Sequence, residues 1–259
     1  MTLQVRDMVK HFAGVQAVKG VSFEVTAGEC VALIGPNGAG KSTSFACIAG
    51  QQRLTRGQVY WAGERIDGLS PAQRLARGVA RTFQVAQTFE ALTVLQNVQL
   101  LLRAPHGLSA WDRLDREHRQ EAHALLVRVG LQELAQSEVL ALPYGARKRL
   151  ELALALAGVQ GAAAQRLLLL DEPAAGLAGP ERAELMRLVQ SLAHERSRAG
   201  CVVLYSEHNM DAVFGVADRV LVLIDGQIAA QGTPQQIAKD ETVRMRYLGQ
   251  TDYVDRGSD

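Results

Sequence analysis

The chain has 259 residues, 47% of them hydrophobic, enough to bury a full core in one large domain or two lobes rather than in an array of small ones. Its 28 basic and 27 acidic residues leave a net charge of +1, which gives no support for a nucleic-acid-binding surface. Cys30, Cys47 and Cys201 lack metal-ligand spacing and fit a reducing compartment as small buried hydrophobes, while the opening MTLQVRDMVKHF lacks the apolar core of a secretory signal.

In chain order, short apolar runs predict strands at residues 3–5, 18–25, 30–34 and 59–61. From about Ser70 to Val159 the spacing is mostly helical, with capping-box starts at Ser70-Pro71-Ala72-Gln73 and Thr93-Val94-Leu95-Gln96. Arg103 to His123 is highly charged and reads as a solvated helix anchored by Trp111. LPYGARKRLELALALA, from Leu142, alternates like a strand. Its Ala, Leu, Glu, Arg and Lys residues favour helix, and Leu150, Ala153, Leu154 and Ala157 share one helical face, so a helix is predicted to begin at Gly145. The longest apolar run, Leu152 to Ala164, is interrupted by Gln160 and too short to span a bilayer. Strands resume at 167–170, 201–206 and 220–224, the last turning through Asp225-Gly226 into 227–230. Thr233-Pro234-Gln235-Gln236 opens a C-terminal helix, and the tail from Thr251 reads as frayed. The expected architecture is a mixed α/β core interrupted by a helical insertion.

The chemistry concentrates in three places. After the strand VALI comes GPNGAGKST, which is Gly35, Pro36, Asn37, Gly38, Ala39, Gly40, Lys41, Ser42 and Thr43. It is a strand-loop-helix match to the phosphate-binding loop G-x-x-x-x-G-K-[ST]. Its backbone N–H groups and helix N-terminus present positive ends to phosphate oxygens, Lys41 can reach the β- and γ-phosphates, and the Ser42 hydroxyl suits Mg²⁺. RLLLLDEP ends a buried strand in Asp171, placed to hold Mg²⁺, and in Glu172, placed to polarise the attacking water. His208 follows the strand CVVLYS, where its imidazole can contact the γ-phosphate and orient that water.

Phosphate-binding loop, helical insertion, DEP and strand-terminal histidine in this order resemble the ATP-binding cassette (ABC) ATPases over nearly the whole chain. The resemblance implies an α/β fold with a P-loop NTPase (RecA-like) core at 1–84 and 160–230. With it come an N-terminal antiparallel β subdomain, a helical subdomain at 85–159, and a C-terminal helix and tail at 231–259. It further implies ATP and Mg²⁺ as cofactors, and a dimer in which one subunit's signature segment caps the γ-phosphate held by the other's loop. Leu142, Pro143, Tyr144, Gly145 and Ala146 occupy the signature position, usually Leu-Ser-Gly-Gly-Gln in the family. Pro143 offers neither the hydroxyl nor the N–H of the usual serine, so the N–H groups of Gly145 and its neighbours are left to hold the γ-phosphate, at about 1.5–3 kcal/mol per bond to a charged acceptor. Ala178 stands where the family's loop across the dimer often ends in Asp, which alters the link between the two sites. By the same resemblance Phe12 stacks on adenine with Val18 beside it, and Gln84 in RTFQ joins core to insertion and senses Mg²⁺ and water.

The combination of RTFQ, LPYG and DEPAAGL looks like the larger ATP-binding subunit of bacterial branched-chain amino acid importers, with urea-importer subunits and lipopolysaccharide-exporter ATPases as neighbours. That branch implies several partners: membrane permease subunits, a second ATPase subunit that is a copy or a different chain, and indirectly an external solute-binding protein. It also implies a peripheral location on the cytoplasmic face of the inner membrane. The docking surface for a permease helix is expected after Gln84, with Phe89, Leu92 and Val94 as apolar contacts. Two rivals remain: a soluble ABC protein of DNA repair or translation, which usually carries two cassettes or a long coiled coil, and a nucleotide-binding subunit with weak turnover. The presence of Lys41, Ser42, Asp171, Glu172 and His208 together points to hydrolysis.

Overall fold

The computed structural model describes residues 1–82, 88–103, 118–160, 165–195 and 201–248. Gln84, Trp111 and the tail from Thr251 lie outside them. Two sheets organise the described chain. Strands β1 (Thr2–Phe12), β2 (Val15–Thr26), β4 (Arg56–Trp61) and β5 (Glu64–Arg65) form an antiparallel sheet in the order β2-β1-β4-β5.

The second sheet has the order β10-β9-β3-β8-β7-β6, built from β3 (Cys30–Ile34), β6 (Val79–Arg81), β7 (Arg166–Asp171), β8 (Cys201–Ser206), β9 (Arg219–Ile224) and β10 (Gln227–Gly232). Its neighbours are parallel except for the β9–β10 hairpin through Asp225 and Gly226. Both faces of this sheet are covered, which is why its strands read as unbroken apolar runs. Alternation still sorts the side chains. Val31, Leu33, Leu167 and Leu169 pack with Phe45 and Ile48 of α1 (Lys41–Ile48) and with the antiparallel sheet. Ala32, Ile34, Leu168 and Leu170 face the other helices.

Helices α2 (Pro71–Ala76), α3 (Val94–Arg103), α4 (Arg119–Arg128) and α5 (Tyr144–Gly158) come between β5 and β7, and α3, α4 and α5 pack on one another. Helices α6 (Gly179–His194), α7 (Met210–Phe214) and α8 (Pro234–Lys239) complete the core side. The three capping boxes form as read: Ser70 with Gln73, Thr93 with Gln96, and Thr233 with Gln236, each with reciprocal side-chain and backbone bonds. Two expectations need correction. The stretch from Ser70 to Val159 is not continuously helical, because Val79–Arg81 forms β6, paired with Leu167–Leu169 of β7. Helix α5 starts at Tyr144 rather than Gly145, with Pro143 as its N-cap.

Cys30, Cys47 and Cys201 are buried, and loss of solvation pushes their thiols up to about 12, 11 and 11. Among the described residues no helix is long and apolar enough to cross a membrane.

Candidate active site

Four neighbouring parallel strands, β3, β8, β7 and β6, end on the same side of the sheet, and their carboxyl ends deliver the site. From β3 the chain turns through Gly35 to Gly40 into α1. Gly35 is held against β9: a Cβ there would stand 1.9 Å from the Leu223 carbonyl oxygen, so only glycine fits. Asn37 and Gly38 are exposed, while Ala39 is buried in the core and its N–H bonds to Pro36 O at 3.2 Å. Lys41 Nζ donates to Gly35 O at 2.6 Å and Pro36 O at 3.0 Å, and burial lowers its pKa against the pull of Glu172 and Asp171. A desolvated ammonium beside exposed backbone suits a phosphate. Ser42 is exposed at the helix start, with Thr43 half-buried behind it.

The strand-end carboxylate Asp171 meets the loop directly. Its Oδ1 accepts the Ser42 hydroxyl at 3.3 Å and the Ser206 hydroxyl at 2.7 Å, its Oδ2 accepts Arg81 Nη2 at 2.7 Å, and its N–H donates to Thr82 Oγ1 at 3.2 Å. A hydroxyl and a carboxylate side by side are the oxygen donors Mg²⁺ takes when phosphates and water complete its shell. Glu172 follows with φ +51°, a left-handed backbone rare for its type, and its Oε1 lies 2.6 Å from His208 Nε2. The two side chains are partly exposed. Glu207, buried beneath them, accepts the N–H of Ala174 through Oε1 at 2.8 Å and of His208 through Oε2 at 3.3 Å, tying the two turns together. Burial raises its carboxyl above the usual glutamate range.

The signature segment lies against the turn after β7 and the start of α6. The Tyr144 hydroxyl donates to Ala175 O at 3.1 Å, Lys148 Nζ sits over its ring, and Glu181 approaches Gly145. Leu142 is buried, Ala146 packs against the core and Gly145 is half-buried, so Pro143 and Tyr144 are the exposed members at the start of α5. Phe12 is exposed under Lys10 Nζ, 4.6 Å from its ring; Val18 is buried, and it borders the loop together with Ala17, the Ala17 carbonyl standing 2.4 Å and Val18 Cγ2 3.5 Å from where a Gly40 Cβ would be. Sequence reading missed Arg81, Thr82, Ser206 and Glu207. Arg81 and Thr82 open the RTFQ tetrapeptide and Ser206-Glu207 precedes His208, so nearness to chosen residues was the only signal in the sequence.

A groove of about 310 Å³ lies between the core and the helical stretch, lined by Pro71, Ala72 and Leu75 of α2, Arg81 of β6, Leu101 of α3, and Glu151, Leu154 and Ala155 of α5. Burial raises the Glu151 carboxyl, partly offset by Lys148 at 3.2 Å. Of the expected docking residues Phe89 is 64% exposed, held by Asn97 on both its N–H and its carbonyl, and Leu92 is half-buried. Val94 is 0% exposed and packs inside the helical stretch, correcting that expectation.

The family model described as "ABC transporter" matches residues 18–175. The chain is 36% identical to the high-affinity branched-chain amino acid transport ATP-binding protein LivG of Escherichia coli strain K12 and 38% identical to its namesake BraF of Pseudomonas aeruginosa, in each case over 96% of this chain and 98% of the relative. It is 33% identical to the lipopolysaccharide export system ATP-binding protein LptB of E. coli strain K12, with the same coverage. Among solved structures, the ADP conformation of MJ1267, an ATP-binding cassette of an ABC transporter, aligns with a TM-score of 0.82 at 29% identity, over 96% of this chain and 99% of that one.

Proposed function

The chain belongs to the ABC transporter family, as its ATP-hydrolysing subunit, and from that premise we propose that it powers an importer of branched-chain amino acids. The greater likeness to LivG and BraF than to LptB carries this reading. Leucine, isoleucine and valine would be recognised by the permease and an external binding protein, and this subunit would supply the work.

In the proposed mechanism the loop N–H groups from Gly35 to Thr43 and Lys41 hold the phosphates of ATP, with Phe12 against the base. Ser42 and Asp171 would hold Mg²⁺, which when bound would neutralise charge on the transferring phosphoryl group. Glu172 orients the attacking water, and His208, 2.6 Å away, fixes that carboxylate and faces the γ-phosphate. Gln84 joins this set by its place in RTFQ. The N-terminus of α5 at Tyr144 and Gly145 caps the γ-phosphate of a second ATPase subunit, so ATP closes the pair and hydrolysis releases it.

The groove between α2, α3 and α5 takes a cytoplasmic helix of the permease. Its lining is apolar at Leu75, Leu101 and Leu154, and it draws on both the core and the helical stretch, the two bodies that closure would move. The subunit would then sit at the cytoplasmic face of the membrane through that contact.

Co-expression with candidate permeases and reconstitution in proteoliposomes tests the assignment. ATP-dependent uptake of leucine, isoleucine or valine is expected, and uptake of urea alone, or of none of these, would overturn it. The likeness to LptB favours a second reading, an exporter ATPase, which the same preparation separates by lipopolysaccharide extraction without amino acid uptake.

A further inference from the structure

Arg81 ends β6, and its guanidinium reaches across the strand ends. Nη2 donates to Asp171 Oδ2 at 2.7 Å and lies 3.4 Å from Ser42 O, and Nη1 donates to Gln51 Oε1. One side chain thus ties the strand-end carboxylate to the first turn of α1 and to the segment just past its last turn. The Asp171 side chain is 1% exposed and that of Arg81 12%, so the pair is desolvated and loss of either partner leaves a charge uncompensated.

The division of labour on the carboxylate is informative. Arg81 takes Oδ2, while Oδ1 takes Ser206 at 2.7 Å and Ser42 at 3.3 Å. The longest of these bonds is to Ser42, the other proposed metal ligand, so that contact yields most readily when a hydrated metal arrives. Arg81 and Ser206 hold the carboxylate from elsewhere and need not move. A cation placed on the second oxygen therefore orients the ligand instead of displacing the metal.

We propose that Arg81 is a positioning residue for the metal-binding carboxylate, fixing Asp171 against both ends of α1 and so setting how strongly Mg²⁺ enhances nucleotide binding. The inference rests on the reading of Ser42 and Asp171 as metal ligands. Partners that orient a metal ligand are worth about 10- to 100-fold in metal affinity.

The test measures binding of a fluorescent ADP analogue to the full chain in Mg²⁺ and in EDTA, with Mn²⁺ binding by electron paramagnetic resonance as a second readout. Arg81→Met should leave affinity in EDTA unchanged and weaken metal affinity by about 10- to 100-fold. Arg81→Lys should recover part of the loss, since an ammonium keeps the charge but cannot bridge Asp171 and Gln51. Should Arg81→Met fail to fold, Gln51→Ala removes the second anchor and should weaken metal affinity several-fold with the ion pair intact. Asp171→Asn is the control. If it abolishes Mg²⁺ enhancement while Arg81→Met, or failing that Gln51→Ala, leaves it at the wild-type value, the inference about Arg81 is wrong. If Asp171→Asn itself preserves the enhancement, the metal reading fails and takes the inference with it.

Discussion

Single atoms decide several of these contacts. A Cβ on Gly35 would collide with the backbone of β9 rather than with a side chain that can turn away, so Gly35→Ala should cost about 1–3 kcal/mol and abolish nucleotide binding, as read by thermal melting and analogue titration. Gly145 is different: its Cβ would meet the Glu181 carboxyl at 3.5 Å, an ordinary contact. Gly145→Ala should therefore fold normally, whereas the branched side chain of Gly145→Val should nearly abolish ATP hydrolysis in the assembled transporter while nucleotide binding persists; unchanged turnover would remove the trans role of α5. Glu207 gives a pH dependence. Burial raises its pKa most, Ala174 and His208 N–H groups lower it, Glu172 raises it and His208 lowers it. The folded state holds this proton more tightly than the unfolded chain, so the contribution to stability is complete below the usual glutamate value, about 4.3, and is lost as pH rises through the raised value. Glu207→Gln removes that titration. Its melting temperature relative to wild type should climb as pH rises across that window, on top of a constant offset from the lost acceptor for His208 N–H.

Elements were legible where a local rule fixes them. The Thr93 box is one such rule, and Thr93→Ala should cost about 1 kcal/mol in denaturant unfolding without changing nucleotide affinity. The buried strands β3, β7, β8 and β9, the hairpin after β9 and the phosphate loop all follow from runs, turns and glycine placement visible in the chain. What escaped depended on neighbours. Val79–Arg81 is too short to display a period and is a strand because Leu167–Leu169 offers it a ladder. Val94 read as a contact because its position suited an exposed run, yet it packs into a core that only the assembled helices define. Arg81 and Glu207 were invisible for the same reason: their partners Asp171 and Ala174 stand 90 and 33 positions away in sequence.

At the scale of the whole molecule, the proposed closure would need a partner subunit, a metal site and a membrane contact to be read by one body. Glu172→Gln with ATP and Mg²⁺ should trap paired subunits, measured by light scattering on this chain alone and with a second ATPase. A monomer in both cases would argue against a γ-phosphate bridge between subunits. Arg81 lines the groove and also holds the Asp171 carboxylate, so an occupant of the groove would lie against the residue proposed to steady the metal ligand. The sulfur chemistry offers a practical consequence. Three thiols buried in β3, α1 and β8 and held well above neutral pKa values give maleimide reagents almost nothing to attack. A cysteine engineered at an exposed position such as Phe89 or Glu181 can therefore carry a spin label or dye against a silent background, letting opening and closing be timed without first stripping the native residues.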